Sequence, residues 1–458
     1  MDARVRKLNG AEPNPRARYV LYRCGRNRRA AGNHALLFTA GVANRMQVPL
    51  LVFESLGCDY AYANDRLHTF LLEGVSQTAA GLHKLGAGYV FELLRRKGEK
   101  SLGSEWEAGA AAVVVDDHPL DKGMLPASGV CAYAVDSSCV VPAHCIEKQM
   151  YAAYALRPRI RRLLPQFLKP VPPVTLDRRF RGPVPPEHTE VTAKNVAELA
   201  ASCEIDHTVP RSTLFRGGRR EAEERLETFL TQRLRRYARE KNEPSAHATS
   251  NLSPYLRAGF LSPLEVALAV SEHGQRHKLM VEEFLEELIV RRELAYNFAW
   301  YSPRVDSLEA LPAWARETIG KHTKDKRHPA YTREQFERAA TYDDLWNATQ
   351  KELLLRGTIH GYYRMYWGKK ILEWSASAGE ALETMLYLND KYALDGQDPN
   401  TYGNILWCFG LHDRPWPERP VFGTIRSMAR SGMERKTDVN AYLQEIRYLE
   451  QTGKELVT

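Results

Sequence analysis

The first third of the chain alternates short apolar runs with segments of helical periodicity. Segments 33–46 and 67–86 repeat apolar residues at helical spacing. The runs between and after them are continuous in Val, Leu and Ala: "YVLYR" (19–23), "VPLLVFES" (48–55), "AAAVVVDD" (110–117) and "VCAYAVD" (130–136). Continuous apolar strands separated by helices are typical of a parallel sheet covered on both faces. The pattern predicts a Rossmann-like α/β domain over residues 1–155.

The pattern changes once along the chain. From about residue 187 onward the strand signal disappears, and long amphipathic stretches such as 280–301 dominate. Residues 165–186 are rich in proline and read as an extended connector on the surface. We therefore predict a long Pro-rich linker over 156–215 and an all-α domain over 216–458.

Composition narrows the choice of compartment and partner. The 458 residues contain no apolar run long enough to span a membrane, and the basic start of the chain is not followed by the apolar stretch of a secretory signal. The seven cysteines form no CxxC pair or zinc spacing, so we predict reduced thiols, no metal site, and a cytoplasmic protein, or a nuclear one in a eukaryote. A net charge of +8 and an isoelectric point near 9.0 favour an anionic partner, with nucleic acid as the leading class. A monomer is expected.

Tryptophan is concentrated in the helical half. Seven of the eight tryptophans follow residue 299, and the segment 361–375, "GYYRMYWGKKILEWS", crowds aromatic rings between basic residues. Trp367 and Trp374 are two helical turns apart and share a face. Core packing explains such a stripe in most helices; the alternative is that the rings carry electrons.

A second signal lies in "ATSNLSPYLRAGFLSPLEVA" (248–267). Ser253 and Ser262 each precede a proline, which predicts two helices with serine N-caps. The hydroxyls and free N–H groups before the first helix suit a phosphate, since the helix dipole also favours an anion there. Two capped helices without a ligand would show the same pattern.

The order of the longer motifs along the chain favours a ligand-binding site over two helices without a ligand. The segments "SNLSPYLRAGFLS", "FLEELIVRRELAYNF", "RMYWGKKILEW" and "DGQDPN" resemble the class II cyclobutane pyrimidine dimer (CPD) DNA photolyases, and the resemblance covers essentially the whole chain. It implies a helical domain that holds FAD, active in its reduced anionic form. It also implies light-dependent repair of CPDs in UV-damaged DNA, by electron transfer from photoexcited FAD to the flipped-out dimer. Whether an antenna chromophore of the deazaflavin or folate type binds stays open.

The resemblance also assigns roles to residues of this sequence. The cofactor would be held by Tyr237, Thr249, Ser250, Asn251, Leu252, Ser253, Asn389, Asp395, Gly396 and Asp398. The catalytic set would be Glu287, Asn389, Met365 and Trp407. Electrons would pass along Trp367, Trp346 and Trp374, with Trp367 nearest the flavin and the order of the outer two open. DNA would be contacted by Lys241, Asn242, Arg291, Arg364, Trp407, Asp413 and Arg414. No metal is implied.

Three alternatives remain beside these roles. Glu287 and Arg291 are four residues apart, so they could form a surface salt bridge of the ordinary helical kind. A cryptochrome-like blue-light receptor would keep FAD and the tryptophans but would not repair DNA. A nucleic-acid-binding protein without flavin would explain the charge, although it would not need "DGQDPN" or the tryptophan series.

Overall fold

The predicted apolar runs form the centre of one six-stranded sheet in the computed structural model, which describes residues 2–122, 126, 129–182 and 185–456. The strand order is β1-β6-β5-β2-β3-β4, and neighbouring strands are parallel except for the pair of β1 and β6. The strands are β1 Val5–Lys7, β2 Val20–Arg23, β3 Leu50–Leu56, β4 Gly88–Leu93, β5 Val113–Asp116 and β6 Ala132–Val135.

The prediction of a parallel sheet therefore needs one correction, at the edge. β1 is antiparallel, and its three residues alternate between partly buried and exposed, so no apolar run marks it. β4 was also missed, although all six of its residues are buried. Its sequence "GYVFEL" begins with glycine directly after a long helix and ends in a carboxylate and a leucine, which weakens the pattern.

Helices make up the rest of the regular structure. Those that accompany the sheet or follow it closely are α1 His34–Met46, α2 Asp65–Leu85, α3 Gly103–Ala108, α4 Ala153–Phe167 and α5 Val196–Ala201. The later helices are α6 Arg219–Thr228, α7 Leu234–Glu240, α8 Ser253–Ala258, α9 Pro263–His277, α10 Glu282–Leu285, α11 Arg292–Tyr301, α12 Ala313–Lys321, α13 Arg333–Glu337, α14 Asp344–Arg356, α15 Gly361–Trp374, α16 Ala378–Tyr392, α17 Pro399–Trp407, α18 Arg430–Glu434 and α19 Val439–Thr452.

Two of these helices are joined to the next by a turn of π-helix. Phe229–Arg233 connects α6 to α7, and Glu286–Arg291 connects α10 to α11. A π turn carries one extra residue, which changes the face on which the following side chains lie, and such turns are frequent at functional sites.

The segment predicted as a linker is only partly extended. α4 extends into it and α5 lies within it, while most of the described residues between them have no regular structure. Residues 183 and 184 of this segment lie outside the described residues. The domain boundaries at 155 and 215 stay a prediction.

The described residues form three hydrophobic clusters. The first packs one face of the sheet against helices up to α11, the second is built from the later helices around Trp346, Trp367 and Trp374, and a smaller third lies around Leu51 and Val113 of the sheet. The guanidinium of Arg66 on α2 crosses between the two halves and donates to the carbonyls of Leu353, Leu354 and Tyr392. In the described part of the chain no helix has both the length and the apolar character needed to cross a membrane.

Candidate functional site

An inner cavity of about 350 Å³ lies among α15, α16, α17 and the π turn before α11. Its walls bring together residues that are up to 155 positions apart in the sequence, from Ser253 to Cys408. The predicted site residues among them are Ser253, Glu287, Arg364, Met365, Trp367, Asn389, Asp395 and Trp407. Residues assigned to cofactor, catalysis and electron transfer therefore share one cavity.

A second cavity of about 190 Å³ adjoins the first and shares Ser253, Ile359 and Gly361 with it. The predicted loop residues Thr249, Ser250, Asn251 and Leu252 form part of its wall, together with Arg233 and His247. Asn251 adopts a left-handed backbone conformation with φ of 54°, which turns the loop around the cavity. The two connected spaces offer an elongated site.

The first of the two predicted serine caps is wrong, and the second is confirmed. α8 begins at Ser253 itself, with Leu252 at the N-cap and no side-chain cap. The Ser253 hydroxyl instead donates to Asp395 Oδ2 at 2.7 Å. Ser262 caps α9 and forms a capping box with Glu265. Ser253 has no capping role because the helix begins one residue earlier than predicted, with Ser253 as its first residue.

Arg364 lies in the wall of the inner cavity, although its predicted role was a DNA contact. Its Nη2 lies 3.0 and 3.1 Å from the two carboxylate oxygens of Asp395, so one carboxylate joins Arg364 to Ser253. Both members of the ion pair are mostly buried. The Nε of Arg364 is buried without a hydrogen-bond partner.

Asn389 is buried at the end of α16, where its amide faces the inner cavity. Its Nδ2 lies 3.4 Å from both Asp390 Oδ1 and Thr401 Oγ1, at the limit of hydrogen-bond length. Burial raises the pKa of Asp390 to about 6, against the opposing effect of the Gln397 N–H and the Asn389 amide. These weak bonds leave the Asn389 amide able to turn toward a ligand.

Three predicted cofactor residues have other structural roles. Asp398 is the N-cap of α17 and also accepts from the Tyr296 hydroxyl at 3.2 Å. Gly396 packs closely, since a Cβ there would come within 3.0 Å of the Ala393 carbonyl. Tyr237 is buried against Phe284 with ring centroids 5.2 Å apart. Asp398 and Gly396 shape the loop that presents Asp395 to the cavity.

Glu287 does not pair with Arg291, so the surface salt bridge weighed as an alternative for this pair is absent. Lys241 Nζ donates to Glu287 at 3.1 Å and to Glu283 at 2.8 Å. The guanidinium of Arg291 lies 5.6 Å from the ring centroid of Trp407. Burial lowers the pKa of Lys241, but the hydrogen bond with Glu283 and the charge of Glu287 outweigh it and raise the pKa. Both residues lie within the π turn, and each has another neighbour there: Lys241 for Glu287 and the Trp407 ring for Arg291.

The three predicted relay tryptophans are buried together. Trp367 lines the inner cavity and donates from its indole to Gln350 Oε1 at 2.9 Å. Trp346 donates to the backbone carbonyl of Trp367 at 3.0 Å, and its ring centroid lies 6.4 Å from that of Trp374. The arrangement therefore runs from the cavity through Trp367 and Trp346 to Trp374.

The sequence reasoning missed the ring that continues this series to the surface. Tyr342 is 68% exposed and its ring centroid lies 5.2 Å from that of Trp374. Tyr342 lies in an irregular segment before α14, outside any periodic pattern, so only its chemical type could have suggested it.

An outer groove of about 660 Å³ adjoins the inner cavity through Met365 and Trp407, which line both. Its described wall contains no carboxylate, and it combines aromatic rings with cations: Tyr362, Trp416, Arg419, Arg426, Arg435 and Lys436. Single-stranded nucleic-acid sites typically combine aromatic rings that stack on bases with cations that pair with phosphates. These six residues were missed by the sequence reasoning.

The other predicted DNA residues lie around this groove or apart from it. Asp413 pairs with Arg426 at 3.3 Å, and the exposed Arg414 lies over Trp416 at 5.4 Å. Asp413 thereby orients a groove cation. Asn242 is exposed beside Lys241, at the end of α7.

The comparisons with known structures concern the fold. A cryptochrome from Synechocystis sp. PCC6803 aligns with a TM-score of 0.67 at 16% identity, over 96% of this chain and 91% of that chain. A class III photolyase from Agrobacterium tumefaciens aligns with a TM-score of 0.66 at 18% identity, over 98% and 93%. The molecule has the photolyase/cryptochrome fold.

The sequence comparisons identify the family. A deoxyribodipyrimidine photo-lyase of Methanothermobacter thermautotrophicus is 38% identical over 97% of this chain and 98% of its own length. One of Oryza sativa subsp. japonica is 38% identical over 95% and 89%. No protein-family model matches the chain. The chain belongs to the deoxyribodipyrimidine photo-lyase family.

Proposed function

We propose that this protein is a class II CPD photolyase, which binds UV-damaged DNA and uses light to split pyrimidine dimers. The observation that carries the proposal is that the inner cavity and the basic, aromatic outer groove are adjacent and share Trp407 and Met365 in their walls. Relatives that are similar to this chain over almost its whole length are named deoxyribodipyrimidine photo-lyase, which supports the proposal. A cofactor in the inner cavity and a base in the groove would be neighbours.

The residues present fit FAD. The Arg364 Nε and both ring nitrogens of His360 lie in the walls of the two cavities. They are buried without a hydrogen-bond partner among the described residues and could meet polar groups of a ligand. Gly361, which lines both cavities, borders open space: a Cβ added there would have no described atom of a neighbouring element within 4 Å. The second cavity has Arg233 for the pyrophosphate, and the first has the amide of Asn389 for the flavin ring. An amide beside a flavin nitrogen is a means of tuning its redox state.

When bound, reduced FAD would supply on excitation the electron that splits the cyclobutane ring and would recover it afterwards. The chain's own contribution is to position the dimer. Trp407 and Met365 offer a flat, apolar wall at the mouth of the cavity, and Arg291 holds the Trp407 ring from one side. Glu287 lines the same space, and Lys241 donates to one of its carboxyl oxygens and so fixes its position. In its protonated form the Glu287 carboxyl can donate a hydrogen bond to a pyrimidine carbonyl. Phosphates flanking the dimer would pair with the groove cations.

The tryptophans serve the cofactor in a second reaction, its photoreduction. The contact of Trp346 with the backbone of Trp367 and with the ring of Trp374 supports the order Trp367, Trp346, Trp374 from the cavity outward. Tyr342 is placed to follow Trp374 at the surface. An antenna chromophore of the deazaflavin or folate type stays a prediction, as do the monomeric state and the cytoplasmic or nuclear location.

The decisive experiment is repair of a CPD-containing oligonucleotide by the purified protein with reduced FAD. We expect loss of dimers in blue light and none in the dark, with no change in an undamaged oligonucleotide. A protein that binds FAD and is photoreduced but leaves the dimers intact would be a cryptochrome-like receptor instead. A protein that cannot be loaded with FAD would contradict both functions.

A further inference from the structure

Three residues that are far apart in the sequence meet at the junction between the sheet and the segment that leads to the helices. Cys58 follows β3, His68 lies on α2, and Cys203 follows α5. The two Sγ atoms and a ring nitrogen of His68 all lie within 4.8 Å of one another, and all three residues are buried. The spacing of the cysteines gave no sign of this, because the ligands come from three separate elements.

His68 supplies an independent sign that something is bound there. Its side chain is completely buried, its Nδ1 lies 2.9 Å from the Tyr60 hydroxyl, and its Nε2 makes no hydrogen bond with any residue that the structure describes. A buried polar atom without a hydrogen-bond partner lowers the stability of a protein, so such an atom indicates a ligand or ion that supplies the partner. In the tautomer whose Nδ1–H donates to Tyr60, Nε2 carries a free lone pair. A histidine fixed through its other nitrogen in this way is typical of metal ligands.

We propose that Cys58, His68 and Cys203 form a binding site for a thiophilic d¹⁰ cation, Zn²⁺ or Cu⁺. Sulfur and imidazole ligands suit these ions. In tetrahedral zinc coordination two cysteine sulfurs are about 3.8 Å apart, so the side chains need to close by no more than about 1 Å. Three protein ligands leave a fourth position for water in the case of Zn²⁺, whereas three ligands suffice for Cu⁺.

Binding replaces the hydrogen bonds that the thiols make in the metal-free structure. Cys58 Sγ lies 3.2 Å from the Leu94 carbonyl and Cys203 Sγ lies 3.3 Å from the Leu199 carbonyl. Each thiol would release its proton to solvent as the metal–sulfur bond forms, so two protons leave for each ion bound and no electron is transferred. Burial raises the pKa of both thiols, so they stay protonated until the cation arrives.

The location suggests that the ion stabilises the junction. The chain after α5 already pairs with the start of α2, where Asp206 exchanges backbone hydrogen bonds with Ala63 and Asp65. An ion held by Cys203 on one side and by Cys58 and His68 on the other would join the same two segments covalently. Its effect would be on stability and not on photochemistry, so the site does not depend on the proposed function.

The test uses untagged, FAD-loaded protein kept under a thiol-free reductant and freed of metal with a chelator. Zn²⁺ is titrated against a chromophoric competitor, Cu⁺ is titrated under anaerobic conditions, and metal-edge X-ray absorption is recorded on the wild type. We expect one ion per chain, with two sulfur ligands at about 2.3 Å in the case of Zn²⁺. Affinity should fall at least tenfold in Cys58→Ser and Cys203→Ser and stay unchanged in Cys131→Ser, which alters a buried cysteine outside the cluster.

The thermal midpoint gives a second readout. Metal should raise it in the wild type and in Cys131→Ser but not in the two cluster variants, whose FAD content verifies that they fold. Absence of binding for both ions would overturn the proposal, and so would equal affinity in the cluster variants. A Cys58–Cys203 disulfide found by peptide mapping of the reduced-state preparation would also overturn it.

Discussion

At the scale of single residues, Trp367 links the inner cavity to the rest of the aromatic series. Its indole is buried and bonds to Gln350, which is itself fully buried. Trp367→Phe removes that donor and part of the ring, so we expect a loss of stability of about 1–3 kcal/mol and an intact fold. Phenylalanine is much harder to oxidise than tryptophan, so photoreduction of the oxidised flavin by an external reductant should nearly stop.

Repair by flavin reduced chemically beforehand should persist in Trp367→Phe, because the repair electron passes directly between flavin and dimer. Trp106→Phe is the matched control, since Trp106 lies on α3 in the sheet-containing half. Packing alone would give lower stability in the variant without a selective loss of photoreduction. Undiminished photoreduction in Trp367→Phe would therefore contradict the relay role.

Glu287 is the second residue whose role can be separated by experiment. Glu287→Ala should leave FAD content unchanged, because the side chains proposed to hold FAD, Arg233 and Asn389, are untouched. It should lower the number of dimers repaired per absorbed photon, because the lost carboxyl acts on the dimer. Glu283→Ala is the control, because it removes the other partner of Lys241 from an exposed position. Equal repair yields in the two variants would show that the carboxylates only position Lys241.

At the scale of elements, helices and strands with regular periodicity are predictable from the sequence, whereas departures from that periodicity are not. α1, α2 and the central strands were predicted within a few residues, because their apolar positions repeat without interruption. The π turn Glu286–Arg291 cannot be recognised from a 3.6-residue period. The partner that holds Glu287 is Lys241, 46 positions away in the sequence. Ser253 was misjudged because its true partner, Asp395, is 142 positions away.

α11 carries a buried carboxyl that makes the packing of helix against sheet sensitive to pH. Glu293 accepts from the N–H groups of Val140 and Val141, at 2.6 and 3.2 Å. Burial raises the pKa of Glu293 from 4.5 to about 8, although the charge of Arg292 and these N–H groups oppose the rise. Between these two pH values the folded state keeps a proton that the unfolded state has lost. The contribution of Glu293 to the free energy of unfolding therefore falls as pH rises through this window.

Glu293→Gln keeps the shape and an acceptor oxygen but cannot titrate. Urea unfolding of both proteins with saturating FAD, across the window from about pH 5 to pH 8, isolates this group in the difference between them. The stability of the wild type relative to Glu293→Gln should decline with pH, by up to about 1.4 kcal/mol for each unit of pKa shift. A difference that is flat in pH would show that the carboxyl is already ionised in the folded protein.

At the scale of the whole molecule, only part of the positive charge is available to an anionic partner. The net charge suggested an anionic partner, yet Arg157, in the basic segment 157–165, forms a bidentate pair with Glu286. The cations of the outer groove come instead from the irregular segment around α18, which has no periodicity to reveal it. The sequence therefore indicated the class of partner through net charge, whereas the groove that we propose as its binding surface emerged only from the fold.

Two exposed cations of the groove allow a test of the proposed DNA-binding surface, because a control variant can be made with the same total charge. Arg435→Gln combined with Lys436→Gln removes two charges from the groove, and Arg161→Gln with Arg162→Gln removes two from the exposed face of α4. Each phosphate contact contributes about 0.7–0.9 to the slope of log affinity against log salt concentration. For a CPD-containing oligonucleotide the groove variant should lower that slope by about 1.4–1.8 and weaken binding, while the α4 variant should leave the slope unchanged. Equal effects of both pairs would mean that net charge, and not the groove, attracts DNA.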